Sequence, residues 1–167
     1  MANEEAKYDV VKLSDVYEIR KYSDRLAIQA KSINGNNGFR KLFNFISGNN
    51  KKNQKIKMTV PVTVMEKSGN MTMQFYLPSK FNKNNIPDPT SSDVEIINIE
   101  GGYYAVIKYS GRASENNFIK HKDILESELY KDGIVIKGPP IKATYNSPFT
   151  LPLMRRNEAM FRVNYID

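Results

Sequence analysis

The sequence predicts an α+β domain, and three observations lead to that prediction. One order of elements (strand, strand, helix, strand, strand) occurs twice along the 167 residues. Two segments carry apolar residues at helical spacing and stop at glycine. Most other apolar residues alternate with polar ones, as in half-buried strands. Antiparallel strands with two helices on their faces make an α+β domain. Halves paired by pseudo-twofold symmetry would form one curved sheet, with a cleft where helix and sheet diverge.

Residues 1–7 read as a flexible tail and residues 8–167 as a single domain, long enough to bury a core. Strands are predicted over 17–22 and 26–30, followed by a helix over 37–46. Phe39, Leu42, Phe43 and Ile46 give that helix an i, i+3, i+4, i+7 stripe, and Ser47-Gly48 ends it. A strand over 56–65 puts Met58, Val60, Val62 and Val64 on one face and Thr59, Pro61 and Thr63 on the other. Pro61 cannot donate to a ladder, so this strand is an edge or carries a bulge. The strand over 71–77 alternates Met71, Met73, Phe75 and Leu77 with Thr72, Gln74 and Tyr76.

Residues 79–93, rich in proline, asparagine and serine, read as a loop between the halves. The second half begins with strands over 94–99 and 103–109. A helix follows over 114–130, with Ser114 as N-cap, Glu115 in the first turn and Asp132-Gly133 as the stop. Its thinner stripe is Phe118, Leu125 and Leu129, with His121 between them. Strands over 141–145 and 159–165 complete the series.

Composition narrows the function. Forty per cent apolar and 26% charged residues suit a soluble globular protein. No apolar run is long enough for a membrane span, and the polar start MANEEAKYD is no signal peptide, so a cytoplasmic location and a monomer are expected. With no cysteine there are no disulfides, thiolate metal sites or c-type haem attachment. A hydrolase needs a nucleophile, a base and an orienting group, and one histidine on a helix stripe supplies no such set, so no enzyme is expected.

The net charge of +7 is unevenly placed: from Arg25 to Met65 there are eight basic residues and no acid. Such a surface attracts carboxylates, phosphates or lipid headgroups, including an anionic membrane, or it is a solvated face that maintains solubility. Nucleic acid is not expected, because no binding motif accompanies the charges.

An ordered series of landmarks resembles the SOUL/haem-binding-protein family over nearly the whole chain. They are Tyr17-Glu18-Ile19-Arg20 with Tyr22, Gly38-Phe39, Gly48-Asn49-Asn50, and Lys57-Met58-Thr59-Val60-Pro61-Val62. Phe75-Tyr76-Leu77-Pro78, Ser110-Gly111, Tyr145-Asn146-Ser147-Pro148 and Arg156-Asn157-Glu158 follow. The resemblance implies a twisted or barrel-like antiparallel sheet flanked by two helices, in two related halves, an architecture similar to GyrI-like ligand-binding domains. It also implies binding of haem or other tetrapyrroles in a shallow apolar groove with no obligatory axial ligand.

Carried over by position, the groove falls on Phe39, Arg40, Lys41, Leu42, Phe43 and Ile46, and on Phe149, Leu151, Leu153 and Met154. A porphyrin needs a flat apolar surface and cations for two propionates, which phenylalanines alternating with Arg40 and Lys41 supply. Haem-binding members have basic residues just before helix one and in the final loop. Asn36 and Thr150 or Leu151 stand there in this chain, and Lys21 holds the place of a proposed ligand histidine.

Remaining candidates have simpler readings. His121 is expected to pack or to bond backbone rather than ligate iron. Met58, Met65, Met71 and Met73 are expected to fill core gaps. Glu158 reads as the partner of Arg155, Arg156 or Arg20, with a hydrogen-bond role in a ligand cleft as the alternative. Apolar residues between Pro148 and Met154 mark a contact surface. Three functions stay open: a non-enzymatic tetrapyrrole buffer or carrier, a general binding domain for a planar apolar anion, and a membrane- or protein-interaction module.

Overall fold

The computed structural model describes residues 3–32 and 38–167. Asn36 and Asn37, which the sequence placed just before and at the start of the first helix, lie outside the described residues. Among those described, the strands in chain order are β1 (Glu4–Glu5), β2 (Tyr8–Leu13), β3 (Glu18–Tyr22), β4 (Arg25–Ser32), β5 (Thr59–Val60), β6 (Val62–Lys67), β7 (Asn70–Tyr76), β8 (Glu95–Ile99), β9 (Gly102–Tyr109), β10 (Val135–Ile136), β11 (Ile141–Thr144) and β12 (Asn157–Asn164). The helices are α1 (Gly38–Ile46) and α2 (Glu115–Lys131), and Pro152–Met154 forms a 3-10 turn. The α+β class is as the apolar spacings predicted.

The chain divides into two compact units, one made of Met1–Ala6 with Asp24–Glu100, the other of Lys7–Ser23 with Gly101–Asp167. In the first unit the antiparallel ladder runs β6-β7-β4-β8, with α1 packed on β4 and β7. Its core holds Ile28, Leu42, Phe45, Ile46, Phe75 and Leu77. Phe81 and Ile86 join them from the segment read as a loop, which therefore contributes to the interior although it has no regular element. Glu4 and Glu5, inside the stretch read as a tail, pair in parallel with Thr59 and Val60.

The expected strand over 56–65 is two strands, β5 and β6, interrupted at Pro61, whose peptide bond with Val60 is cis. Proline has no N–H to give the ladder, which is why the pairing breaks there. Thr59, Pro61 and Thr63 make the buried row, while Met58 and Val62 pack partly against the core. Thr59 and Thr63 are buried because their hydroxyls are satisfied, by the Tyr76 carbonyl and by the Gln74 side chain respectively.

In the second unit the antiparallel ladder runs β2-β3-β9-β12-β11, with β10 also on β12. The face under α2 is apolar: Ile19, Ile107, Ala159, Phe161 and Val163 meet Phe118, Leu125 and Leu129 from the helix. Ser114 caps α2 as expected, its side chain accepting from the Asn117 N–H. At the other end Gly133 takes a positive φ of 69°, which closes the helix where a side chain would strain the backbone.

The two halves are not contiguous in the way the repeated element order suggested. Strand β3, from the first half, pairs with β9, and β8, the first strand of the second half, pairs with β4. Each unit thus contains the opening strand of the other half of the sequence. Partner choice among similar alternating strands depends on packing at long sequence separation, to which local pattern is blind.

Candidate functional site

Helix α1 is nine residues, and five of them are apolar, so it has more apolar surface than one contact with a sheet can cover. The buried residues are Gly38, Leu42, Phe45 and Ile46. Leu42 and Ile46, expected in the groove, lie in the core of the first unit, 0% and 5% exposed. Phe39 and Phe43 stay about half exposed, at 49% and 48%. Their rings lie nearly parallel, 12° apart with centroids 5.8 Å apart, and Phe39 also meets the Phe75 ring edge-on at 5.3 Å.

A flat aromatic pair held against a core phenylalanine is a ready platform for another planar group. Arg40 is exposed between the two phenylalanines in sequence, and Lys41 lies 3.9 Å from the Asp93 carboxylate. Phe75 and Asp93 were missing from the expected site. Phe75 shared the predicted face of Met73, so its position was legible. Nothing in the sequence joins Lys41 to Asp93, which is separated from it by the whole β5–β8 approach.

The other expected site residues belong to the second unit, on the segment between β11 and β12. Phe149, Leu151, Leu153 and Met154 are all exposed, and Phe149 shows 94% of its surface. The backbone beneath them is well tied. Thr150 N–H bonds to Ser147 O at 3.1 Å, Met154 N–H to Leu151 O at 2.9 Å, and Gly111 N–H to Pro152 O at 2.9 Å. The Arg155 guanidinium donates to Ser147 O at 2.8 Å, and Arg156 N–H to the Asn146 side chain at 2.6 Å.

The same unit holds a sealed polar network on the sheet. Arg20 and Glu158 are fully buried and pair through two bonds of 2.8 Å each. Arg20 Nε also donates to Glu18 at 2.9 Å, and its plane covers the Tyr8 ring at 4.1 Å. Glu158 further accepts from the Tyr145 hydroxyl and from Arg156 Nε at 3.0 Å. Of the partners read for Glu158, Arg20 and Arg156 are in place, while Arg155 turns to the loop carbonyls.

Burial by itself would raise the pKa of Glu158, but the hydrogen bonds and charge of Arg20 outweigh it and hold the carboxyl below its ordinary value. Burial, then the Glu158 charge, pushes the Tyr145 hydroxyl well up. The network thus favours Glu158 as the carboxylate and Tyr145 as the neutral phenol that donates to it.

His121 is engaged within its own unit: Nδ1 meets the Asn117 carbonyl at 2.8 Å, and the ring stacks on Tyr109 at 4.1 Å and 6°. Burial, then Glu115, pushes the Tyr109 hydroxyl up to about 12. Among the described residues, no group of three or more His, Asp or Glu could hold a metal ion, and no helix is long and apolar enough to cross a membrane.

Comparison with known proteins agrees with the geometry at the level of family. The family described as SOUL heme-binding protein matches residues 3–162. Heme-binding protein 2 of Homo sapiens is 33% identical over 156 residues, covering 85% of this chain and 75% of its own length. Heme-binding protein 2 of Mus musculus is 33% identical over 129 residues, covering 72% of this chain and 62% of its own. Among solved structures, the EcmrR C-terminal domain superposes with a TM-score of 0.67 at 10% identity, over 95% of this chain and 99% of that one. A hydrolase from Listeria innocua gives 0.64 at 8% identity, over 92% and 94%. At such identities the likeness shows the fold alone.

Proposed function

Because this chain belongs to the SOUL heme-binding family, we propose that it binds haem or a related tetrapyrrole on the exposed aromatic face of α1, without catalysis, as a buffer or carrier. The observation that supports this most is the parallel Phe39–Phe43 pair, half exposed and braced by Phe75. It would take the apolar macrocycle, with Arg40 and Lys41 placed along the same helix for the propionates. Bound haem would supply a redox-active iron; α1 carries no histidine, cysteine, tyrosine or methionine, and the Met73 sulfur lies beside Gly38 at its start. On this reading recognition rests mainly on the ring and its carboxylates.

Metal-free protoporphyrin IX is expected to bind within about threefold of hemin, since on this reading the ring and the carboxylates carry the affinity. Replacing both Arg40 and Lys41 by glutamate is expected to weaken hemin about tenfold, near 1.4 kcal/mol, and to flatten the salt dependence of binding. His121→Ala is expected to leave the Soret band of the complex unchanged, because that ring is engaged with Asn117 and Tyr109. Absorbance titrations of the parent and both variants check these outcomes. Loss of the Soret shift in His121→Ala with the fold intact would make that histidine the iron ligand and end this reading.

A second reading, a binder of other planar apolar anions, is favoured by the same missing ligand. Equal affinity for hemin and an unrelated aromatic dicarboxylate would select it.

A further inference from the structure

The segment from Pro148 to Met154 holds four large apolar side chains in water, and the chain around it is built to keep them there. Phe149 is 94% exposed and Leu153 89%, with Leu151 and Met154 also out. Such exposure on a slack loop would be a passing arrangement. Here the loop is stiff: Pro148 and Pro152 restrict it, a 3-10 turn closes it, and Arg155 ties its two ends by donating to Ser147 O and Asn146 O. Its base is anchored further by Tyr145, which bonds Glu158 and lies under the Arg156 guanidinium at 3.8 Å.

Two features of the loop select a lipid surface among the partners that would cover it. First, the loop satisfies part of its own backbone: the N–H groups of Phe149, Thr150, Met154 and Arg155 bond within it, and Pro148 and Pro152 have none to satisfy. Bare N–H groups are costly in hydrocarbon, so this lowers the penalty for a tip that stays at the headgroup boundary. Second, the charge is layered. From Thr144 to Met154 there is no charged residue, and from Gly133 to Asn157 there is no acid, while Arg155 and Arg156 follow the tip directly. Exposed Arg112 adjoins it in space through the bond from Gly111 to Pro152. Arg156 is matched by Glu158, but Arg155 bonds carbonyls alone and keeps its charge. An uncharged apolar tip above such a base is the profile of an interfacial anchor on anionic phospholipid.

We infer that the Pro148–Met154 loop docks the protein on anionic membranes by inserting Phe149, Leu151, Leu153 and Met154 at the headgroup boundary. This does not rest on haem binding at α1, although the family resemblance also carried Phe149, Leu151, Leu153 and Met154 over to the haem groove.

The full chain is tested with vesicles of phosphatidylcholine, with and without phosphatidylserine. The parent is expected to sediment with the phosphatidylserine vesicles, and Phe149→Ser with Leu153→Ser to weaken that binding at least about tenfold. Both side chains are solvent-exposed, so circular dichroism of the double variant should match the parent. The chain has no tryptophan, so Leu153→Trp provides a single reporter. Its emission is expected to shift to the blue on vesicles and to be quenched by brominated acyl chains, while Tyr130→Trp, exposed on α2, stays unchanged. The proposal is overturned if the double variant sediments like the parent, if neither reporter shifts, or if both shift equally. The first outcome would assign attachment to the basic surface alone, and the second would leave the loop to a protein partner.

Discussion

Replacing Glu158 by alanine is expected to destabilise the protein by about 3–5 kcal/mol. The cost comes from what is left behind. Arg20 has no exposed side-chain surface, and its guanidinium cannot shed its charge. With Glu158 gone, Arg20 keeps Glu18, the Tyr22 hydroxyl and the face of Tyr8, and Tyr145 loses its acceptor. Removing both charges with Arg20→Met and Glu158→Leu should recover much of the loss, because no fully buried ion is then stranded: Glu18 keeps Lys108 at 3.7 Å and Arg156 reaches solvent. Urea denaturation of the two variants measures this, and a single-variant loss under about 1 kcal/mol would contradict it.

The same pair gives the acid behaviour its sign. Glu158 is held below its ordinary pKa of 4.5 in the folded state, so the folded protein binds its proton less readily than the unfolded chain does. Its contribution is complete above the unfolded value and is lost as pH falls through the folded one. Stability should therefore decline below about pH 4.5, and Glu158→Gln should show a shallower decline over that window.

Phe45→Ala and Phe43→Ala are expected to separate fold from binding. Phe45 is 2% exposed in the core of the first unit, and its loss should cost about 3–5 kcal/mol. Phe43, two residues earlier and 48% exposed, should cost about 1 kcal/mol and leave the cooperative transition in place. Hemin affinity should respond in the opposite order, falling for Phe43→Ala in a protein that is still folded. Thermal melts and titrations on the same samples check both. A Phe43 variant as unstable as the Phe45 variant would place Phe43 in the core and remove it from the site.

That pair of phenylalanines shows where reading the sequence reaches its end. The stripe Phe39, Leu42, Phe43, Ile46 has perfect helical spacing, and so has the stripe Gly38, Leu42, Phe45, Ile46 that is buried. Both contain Leu42 and Ile46, and the two differ by a modest rotation of the helix about its axis. With five apolar residues in nine, periodicity finds the helix and cannot choose its inward face. The sheet chooses, through Ile28 and Phe75 on β4 and β7. Strand β2 went unread for a related reason: half of Tyr8–Leu13 is exposed, none of it is fully buried, and it slips register between Val10 and Lys12, so its apolar residues do not alternate cleanly.

The sequence alone determined the α+β class, both helices with their stops and the Ser114 cap of α2, and most of the strands, because each of these is written in spacings of two to four residues. It also held the landmark series that points to the family. The tertiary structure alone decided three things: which phenylalanines of α1 meet water, that β3 and β8 pair outside their own halves, and that Arg20 finds Glu158 across most of the chain. Each is a choice among partners of equal local merit. Such choices are settled by burial and charge pairing at long sequence separation, where local periodicity holds no information.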